Sequence, residues 1–179
     1  MKKLIILLVS IFFAFLCFAE TQDIYSFSAK NLKGEEQDLK QYQGKTLLIV
    51  NLTLHCGTTS QFGDLEKLYQ KYKDKDFLVI GFYSNDFTTL KITDKIEIET
   101  RCRDNYQLTF PIFTFLEISN KDNPFFQFIL SKLPEEQQGQ IMFNLEKFLI
   151  NKEGKVISRF GSFSSPLSRK ITTAIEEIL

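Results

Sequence analysis

The chain has 179 residues, 22 basic and 22 acidic side chains, three cysteines and a single histidine. The balanced charge gives no strong field for nucleic acid or for an acidic membrane surface, and we expect no nucleic-acid partner. One histidine and a few scattered cysteines cannot build a structural zinc site, and we expect neither a metal nor a bound cofactor.

The first 19 residues have the pattern of an export signal, with Lys2 and Lys3 followed by an apolar run and then Ala19 before Glu20. The alternative is a retained N-terminal anchor, although the run is short for a membrane span. Cleavage would remove two lysines and leave one domain over residues 20–179 with 20 basic and 22 acidic side chains. We expect this domain to be exported, whether to a bacterial periplasm or along a eukaryotic secretory route.

The pattern along the rest of the chain predicts alternating strands and helices. Strands are expected at 46–52, 77–83 and 111–116, and a hairpin pairs 148–150 with 156–160 around an Asn-Lys-Glu-Gly turn. Helices are expected at 61–73, from Asp94 toward Tyr106, at 125–133 and at 166–179. This order predicts an α/β domain with a mixed, mainly parallel sheet flanked by helices.

Cys56 is expected at the corner between the most apolar strand and the helix that follows it. Main-chain N–H groups at the start of a helix stabilise a thiolate and lower its pKa. A thiolate attacks a peroxide O–O bond and becomes a sulfenic acid, with which a second thiol can condense. Position alone leaves a structural core cysteine, or a structural disulfide with Cys102, equally open.

Residues around Cys56 resemble the signature of the glutathione peroxidase family. Matching residues within 44–69 are Gly44, Lys45, Ile49, Val50, Asn51, Cys56, Gly57, Thr59, Gln61, Leu65, Glu66, Leu68 and Tyr69. The resemblance continues over 24–43, 81–87, 109–111 and 143–159. It implies a thioredoxin-like fold, and reduction of hydrogen peroxide and organic hydroperoxides through Cys56 with electrons from glutathione or a thioredoxin-like protein.

Two positions depart from the family pattern. The family surrounds its catalytic cysteine with Gln, Trp and Asn side chains that donate hydrogen bonds, and here Leu90 and Phe143 stand at the Gln and Trp positions. Asn144 remains as the third catalytic residue. Loss of one such donor costs on the order of 100-fold in rate. The alternatives are a weakly active enzyme, a non-catalytic redox sensor or binding protein, or substitution by Gln61, Asn85 or His55.

Cys102 lies in a segment that resembles the one carrying the resolving cysteine in thioredoxin-dependent members of the family. That role implies that the segment unwinds to bring Cys102 to the sulfenic acid of Cys56. Arg101 and Arg103 flank Cys102. Their positive charges are expected to favour the thiolate of Cys102 over the thiol. A permanent disulfide or a spectator thiol stays open as an alternative. The short segment between residues 116 and 143 lacks the insertion of tetrameric members, and predicts a monomer.

Overall fold

The computed structural model describes residues 23–54, 59–114, 118 and 123–179. The predicted export signal, with its alternative as a retained anchor, therefore lies outside the described residues. The same holds for the predictions about His55 and Cys56. Among the described residues, no helix is long and apolar enough to cross a bilayer.

Within these described residues, seven strands form one sheet in the order β2-β1-β5-β4-β3-β6-β7. Their bounds are β1 Ser28–Asn31, β2 Glu36–Asp38, β3 Thr46–Leu52, β4 Phe77–Tyr83, β5 Ile112–Thr114, β6 Lys147–Ile150 and β7 Val156–Phe160. The central pairs β3/β4 and β4/β5 are parallel, whereas β1/β2, β1/β5, β3/β6 and β6/β7 are antiparallel. The predicted mixed α/β sheet flanked by helices is confirmed, but the expectation that it is mainly parallel is wrong for the described strands. Antiparallel pairs outnumber parallel ones because the hairpin of β1 and β2, which also pairs with β5, was not predicted.

The described part of the chain has four α-helices beside the sheet: α1 Phe62–Tyr72, α2 Lys95–Thr100, α3 Pro124–Lys132 and α4 Arg169–Glu176. Each overlaps its predicted span, and α4 is shorter than expected at both ends. Asp94 caps α2 by accepting a hydrogen bond from the Ile96 N–H at 2.9 Å. A π-helical turn, Arg101–Asn105, continues α2 and carries Cys102.

Apolar residues pack on both faces of the sheet, as a continuously apolar central strand requires. Along β3, Leu48 and Val50 face one cluster, which includes residues of α1 and α4. Leu47 and Ile49 face the other, which includes the phenylalanines of α3. Because β3 and β4 are parallel and adjacent, their carboxyl ends lie at the same edge of the sheet, where Cys56 follows β3.

Candidate active site

The segment that contains Cys56 is bounded by described elements on both sides. The chain leaves β3 at Leu52 and resumes in a 3-10 turn, Thr59–Gln61, which leads directly into α1. Cys56 therefore belongs to the connection between a buried strand and a helix, as the sequence predicts. Its side-chain geometry lies outside the described residues.

Asn144 lies in the turn that precedes β6 and is completely buried. Its Nδ2 donates to the main-chain carbonyl of Phe87 at 3.3 Å. Its Oδ1 is buried and has no hydrogen-bond partner among the described residues. One N–H of this carboxamide therefore ties the 84–94 loop to the β6 turn, while the second N–H and the carbonyl oxygen are available for other contacts.

Asn51 fixes the turn that carries Asn144. Its side-chain Nδ2 donates to the carbonyl of Phe143 at 3.0 Å, and its Oδ1 accepts from the Glu146 N–H at 2.8 Å. The main-chain carbonyl of Asn51 also accepts from the N–H of Leu145, which has a left-handed φ of 59°. The turn is therefore held against β3, the strand that leads to Cys56. Sequence reasoning assigned no role to Asn51, although a polar residue within an apolar strand is the signal.

Leu90 and Phe143, which stand where the family has hydrogen-bond donors, are exposed apolar side chains. Leu90 is 61% exposed and Phe143 is 39% exposed. The Phe143 ring lies against that of Phe163, with centroids 5.7 Å apart. Neither side chain can donate a hydrogen bond, so the donor set predicted at Cys56 is reduced to Asn144.

Gln61 and Asn85 were possible substitutes for the missing donors, and the structure commits both to other contacts. Gln61 donates to the carbonyl of Ser162 at 2.8 Å and accepts from Lys147 Nζ at 2.7 Å. Asn85 closes its own loop through the main-chain N–H and carbonyl of Ile92, at 3.0 and 2.8 Å. In these contacts each carboxamide uses its oxygen and one of its two N–H groups, so both side chains hold loop structure, and their role as substitute donors stays a prediction.

Cys102 is a free thiol and only 1% exposed. Burial raises its pKa to about 12, whereas the positive charge of Arg103 opposes that rise only weakly. The expectation that the flanking arginines favour a thiolate is therefore wrong in this folded state. Desolvation of the thiolate outweighs the attraction of the Arg103 charge. The Arg103 guanidinium donates its hydrogen bonds to the carbonyls of Leu108 and Phe110.

Comparison with known proteins identifies the chain. The family model described as glutathione peroxidase matches residues 24–130. The chain belongs to the glutathione peroxidase family. A glutathione peroxidase homologue, BsaA, of Halalkalibacterium halodurans is 40% identical over 157 residues, which cover 87% of this chain and 99% of that protein.

Other members of the glutathione peroxidase family support the same assignment. A glutathione peroxidase-like peroxiredoxin of Schizosaccharomyces pombe is 37% identical, with 87% of this chain and 98% of that protein covered. A hydroperoxy fatty acid reductase of Synechocystis is 36% identical, with 87% and 95% covered. The crystal structure of Trgpx in apo form superposes with a TM-score of 0.70 at 31% identity, covering 88% of this chain and 95% of that chain. The predicted thioredoxin-like fold is confirmed.

Proposed function

We propose that this member of the glutathione peroxidase family reduces hydroperoxides through Cys56. The proposal is supported by the position of Cys56 in the sequence, between the strand β3 and the turn that leads into α1, and by the family match over residues 24–130. The relatives named above bear peroxidase, peroxiredoxin and hydroperoxide reductase names, which favours a thiol-dependent peroxidase over the non-catalytic alternative. The chain is thus an oxidoreductase.

The first half of the cycle consumes the peroxide. The Cys56 thiolate attacks one peroxide oxygen, the S–O bond forms as the O–O bond breaks, and water or an alcohol leaves after taking up a proton. Cys56 becomes a sulfenic acid, oxidised by two electrons. Asn144 is the proposed donor to the sulfur or to the departing oxygen, since its second N–H is uncommitted among the described residues.

The second half of the cycle returns Cys56 to the thiol. The thiol of Cys102 attacks the sulfenic acid, a disulfide forms and water leaves, and an external dithiol or two glutathione molecules then reduce the disulfide. The free thiol of Cys102 supports this step, and so does its place in a π-helical turn, a feature that is frequent at functional sites. Two glutathione molecules can instead reduce the Cys56 sulfenic acid: the first forms a mixed disulfide with Cys56 as water leaves, and the second releases the Cys56 thiol and glutathione disulfide.

Hydrogen peroxide and organic hydroperoxides are the proposed substrates. The relative from Synechocystis is named a hydroperoxy fatty acid reductase, and an organic hydroperoxide would meet apolar surface here. Phe143 and Phe163 form an exposed aromatic pair beside Asn144. A greater efficiency with cumene hydroperoxide than with hydrogen peroxide would support this surface as the substrate approach.

We also propose that the mature enzyme is exported and monomeric. Export rests on the N-terminal pattern of Lys2, Lys3 and the apolar run that ends at Ala19. The monomer rests on the short segment between β5 and β6. Mass spectrometry of the secreted protein should give an N-terminus at Glu20, and light scattering should give the mass of one chain. A retained N-terminus or a stable tetramer would contradict these proposals.

The substitution Cys56→Ser tests the central assignment. A serine hydroxyl is a far poorer nucleophile than a thiolate at neutral pH, so peroxide consumption should fall to background. Stopped-flow peroxide consumption and a thermal melt should be measured on the same preparation. A folded Cys56→Ser protein that keeps most of its thiol-dependent turnover would refute the role of Cys56.

A further inference from the structure

Lys147 is a fully buried lysine on β6, on the sheet face that packs against α1. Its ammonium donates to Gln61 Oε1 at 2.7 Å, to the Ser164 carbonyl at 2.8 Å and to the Ser162 carbonyl at 3.2 Å. All three acceptors are neutral. Lysine is almost never fully buried without a charged partner, so this arrangement calls for an explanation.

No carboxylate of the described residues neutralises this ammonium. Glu146 directly precedes β6, and its carboxylate instead binds Arg159 at 2.5 Å. On α1, Asp64 pairs with Lys67 at 3.3 Å. Residues 46–52 of β3 and 161–168, which supplies the two carbonyls, contain no ionisable side chain.

The three acceptors of Lys147 come from two segments. One is Gln61, which directly precedes α1, and the others are the carbonyls of Ser162 and Ser164, between β7 and α4. Gln61 ends the 3-10 turn Thr59–Gln61, which begins directly after the segment that contains Cys56. Lys147 also lies opposite Val50 in the β3/β6 ladder, close to the end of the strand that leads into the same segment. Lys147 is therefore hydrogen-bonded to the turn that follows the Cys56 segment in the chain and paired with the strand that precedes it.

We propose that Lys147 is a positioning residue for the peroxidase reaction, which holds the Cys56 segment through Gln61 and supplies the positive potential that stabilises the Cys56 thiolate. This inference rests on the assignment of Cys56 as the peroxide-reducing residue. Lys147 forms no bond to the substrate. Its neutral hydrogen-bond partners leave its positive charge without an ion-pair partner among the described residues, so that charge is available to stabilise an anion that forms in the adjoining segment.

Burial also sets the range in which Lys147 is charged. It lowers the pKa of Lys147 to about 8, and the Glu146 charge opposes this only in part. Lys147 thus carries its charge at neutral pH and loses it under mildly alkaline conditions. The reactivity of the Cys56 thiolate should therefore change as Lys147 loses its proton, and the midpoint of that change should lie near pH 8.

The test is the pH dependence of Cys56 alkylation in the mature protein, with iodoacetamide as the probe and mass spectrometry to assign the label. Lys147→Met should raise the midpoint for Cys56 by about one pH unit, the size expected for loss of a nearby opposite charge. Gln61→Glu should also raise it, because a carboxylate at this place neutralises the ammonium. Lys73→Met, which removes an exposed lysine directly after the far end of α1, is the matched control and should leave the midpoint unchanged.

A purely structural role makes a different prediction. Lys147→Met would then slow alkylation and peroxide consumption equally at every pH without moving the midpoint, and this result in a cooperatively melting protein would overturn the proposal. If Lys147→Met fails to fold, Gln61→Glu decides by the same criterion, because Gln61 is partly exposed. Failure of the proposed function is distinguishable, since it would appear as turnover retained in Cys56→Ser.

Discussion

The side chain of Asn51 donates to the main-chain carbonyl of Phe143 at 3.0 Å and accepts from the N–H of Glu146 at 2.8 Å. A carboxamide is suited to this pair of contacts because it carries a donor and an acceptor on one planar group. The two contacts bracket Asn144. The position of the proposed donor at the active site is therefore set by a residue of the strand that leads to Cys56.

Asn51→Asp should impair catalysis through Asn144. A carboxylate still accepts from Glu146 but cannot donate to Phe143, and it buries a charge that costs on the order of 1–3 kcal/mol or more. We expect a lower melting temperature and roughly 10-fold slower Cys56 oxidation in the fraction that stays folded. Stopped-flow peroxide consumption and urea unfolding measure the two effects.

Asn151→Asp is the matched control for Asn51→Asp. The Asn151 side chain accepts from the Lys155 N–H at 2.9 Å in the β6/β7 hairpin turn, a contact that Asp preserves. This variant should keep both stability and peroxidase rate. Equal peroxidase rates in Asn51→Asp and the native chain would show that the turn keeps its geometry without the Asn51 donor.

Restoring the missing donors should raise the rate of Cys56 oxidation. Leu90 is largely exposed and Phe143 is partly exposed. Leu90→Gln and Phe143→Trp can therefore be combined without forcing a polar group into the core. Each donor contributes on the order of 100-fold where it reaches the transition state. The double variant should therefore consume peroxide at least about 10-fold faster.

Phe163→Trp provides the control for this gain. It adds an indole N–H to the same aromatic pair but on the partner ring, which is 80% exposed. The control should leave the rate unchanged. A folded double variant no faster than the native chain would show that Asn144 and groups near Cys56 already suffice for the reaction.

The central elements of the fold could be predicted from sequence because their hydrophobic patterns are strong. The runs at 46–52 and 77–83 coincide with β3 and β4. Strands β1 and β2 could not be predicted, since Ser-Ala-Lys-Asn and Glu-Gln-Asp are short, polar and at one end of the sheet. Their pairing depends on neighbouring strands rather than on a pattern of their own.

The site was predictable in its residue types but not in its electrostatics. Cys102 illustrates this, because the flanking arginines suggest a thiolate whereas burial, visible only in the fold, dominates its pKa. Lys147 illustrates the converse. It stands next to Glu146 in sequence, which suggests an ion pair, but the Glu146 carboxylate pairs with Arg159 and the Lys147 ammonium donates to neutral oxygens.

Stability should depend on pH through Lys147. Its pKa is about 8 in the folded protein against an ordinary value of 10.5, so the unfolded chain binds more protons between these values. The contribution of Lys147 to stability therefore increases as pH rises from about 8 to 10.5. The melting temperature of the native chain relative to Lys147→Met should rise across this window. A constant difference would mean that Lys147 keeps its ordinary pKa in the folded protein.

The last prediction concerns how Cys102 becomes available. Its thiol is buried with a pKa raised to about 12, so the π-helical turn Arg101–Asn105 must open before Cys102 can attack a sulfenic acid. One equivalent of peroxide should convert the reduced protein to an intramolecular disulfide. Hydrogen exchange within residues 101–105 should be faster in that oxidised form. Cys102→Ser should instead accumulate a Cys56 sulfenic acid, turning over poorly with thioredoxin while retaining activity with a small thiol.

If the bond between Cys56 and Cys102 is instead a permanent structural disulfide, the expected results are reversed. Cys56 and Cys102 are 46 positions apart, so a permanent bridge should stabilise the resting protein by about 3–4 kcal/mol through the unfolded chain. A resolving disulfide should stabilise the folded protein less, because its formation disrupts the packing around Cys102. Thermal melts of both redox forms, with thiol-trapping mass spectrometry to verify their state, separate the two cases. An oxidised form that resists mild reductant and melts many degrees above the reduced form would make Cys102 a structural cross-link, because the folded protein would then favour the disulfide instead of straining to form it.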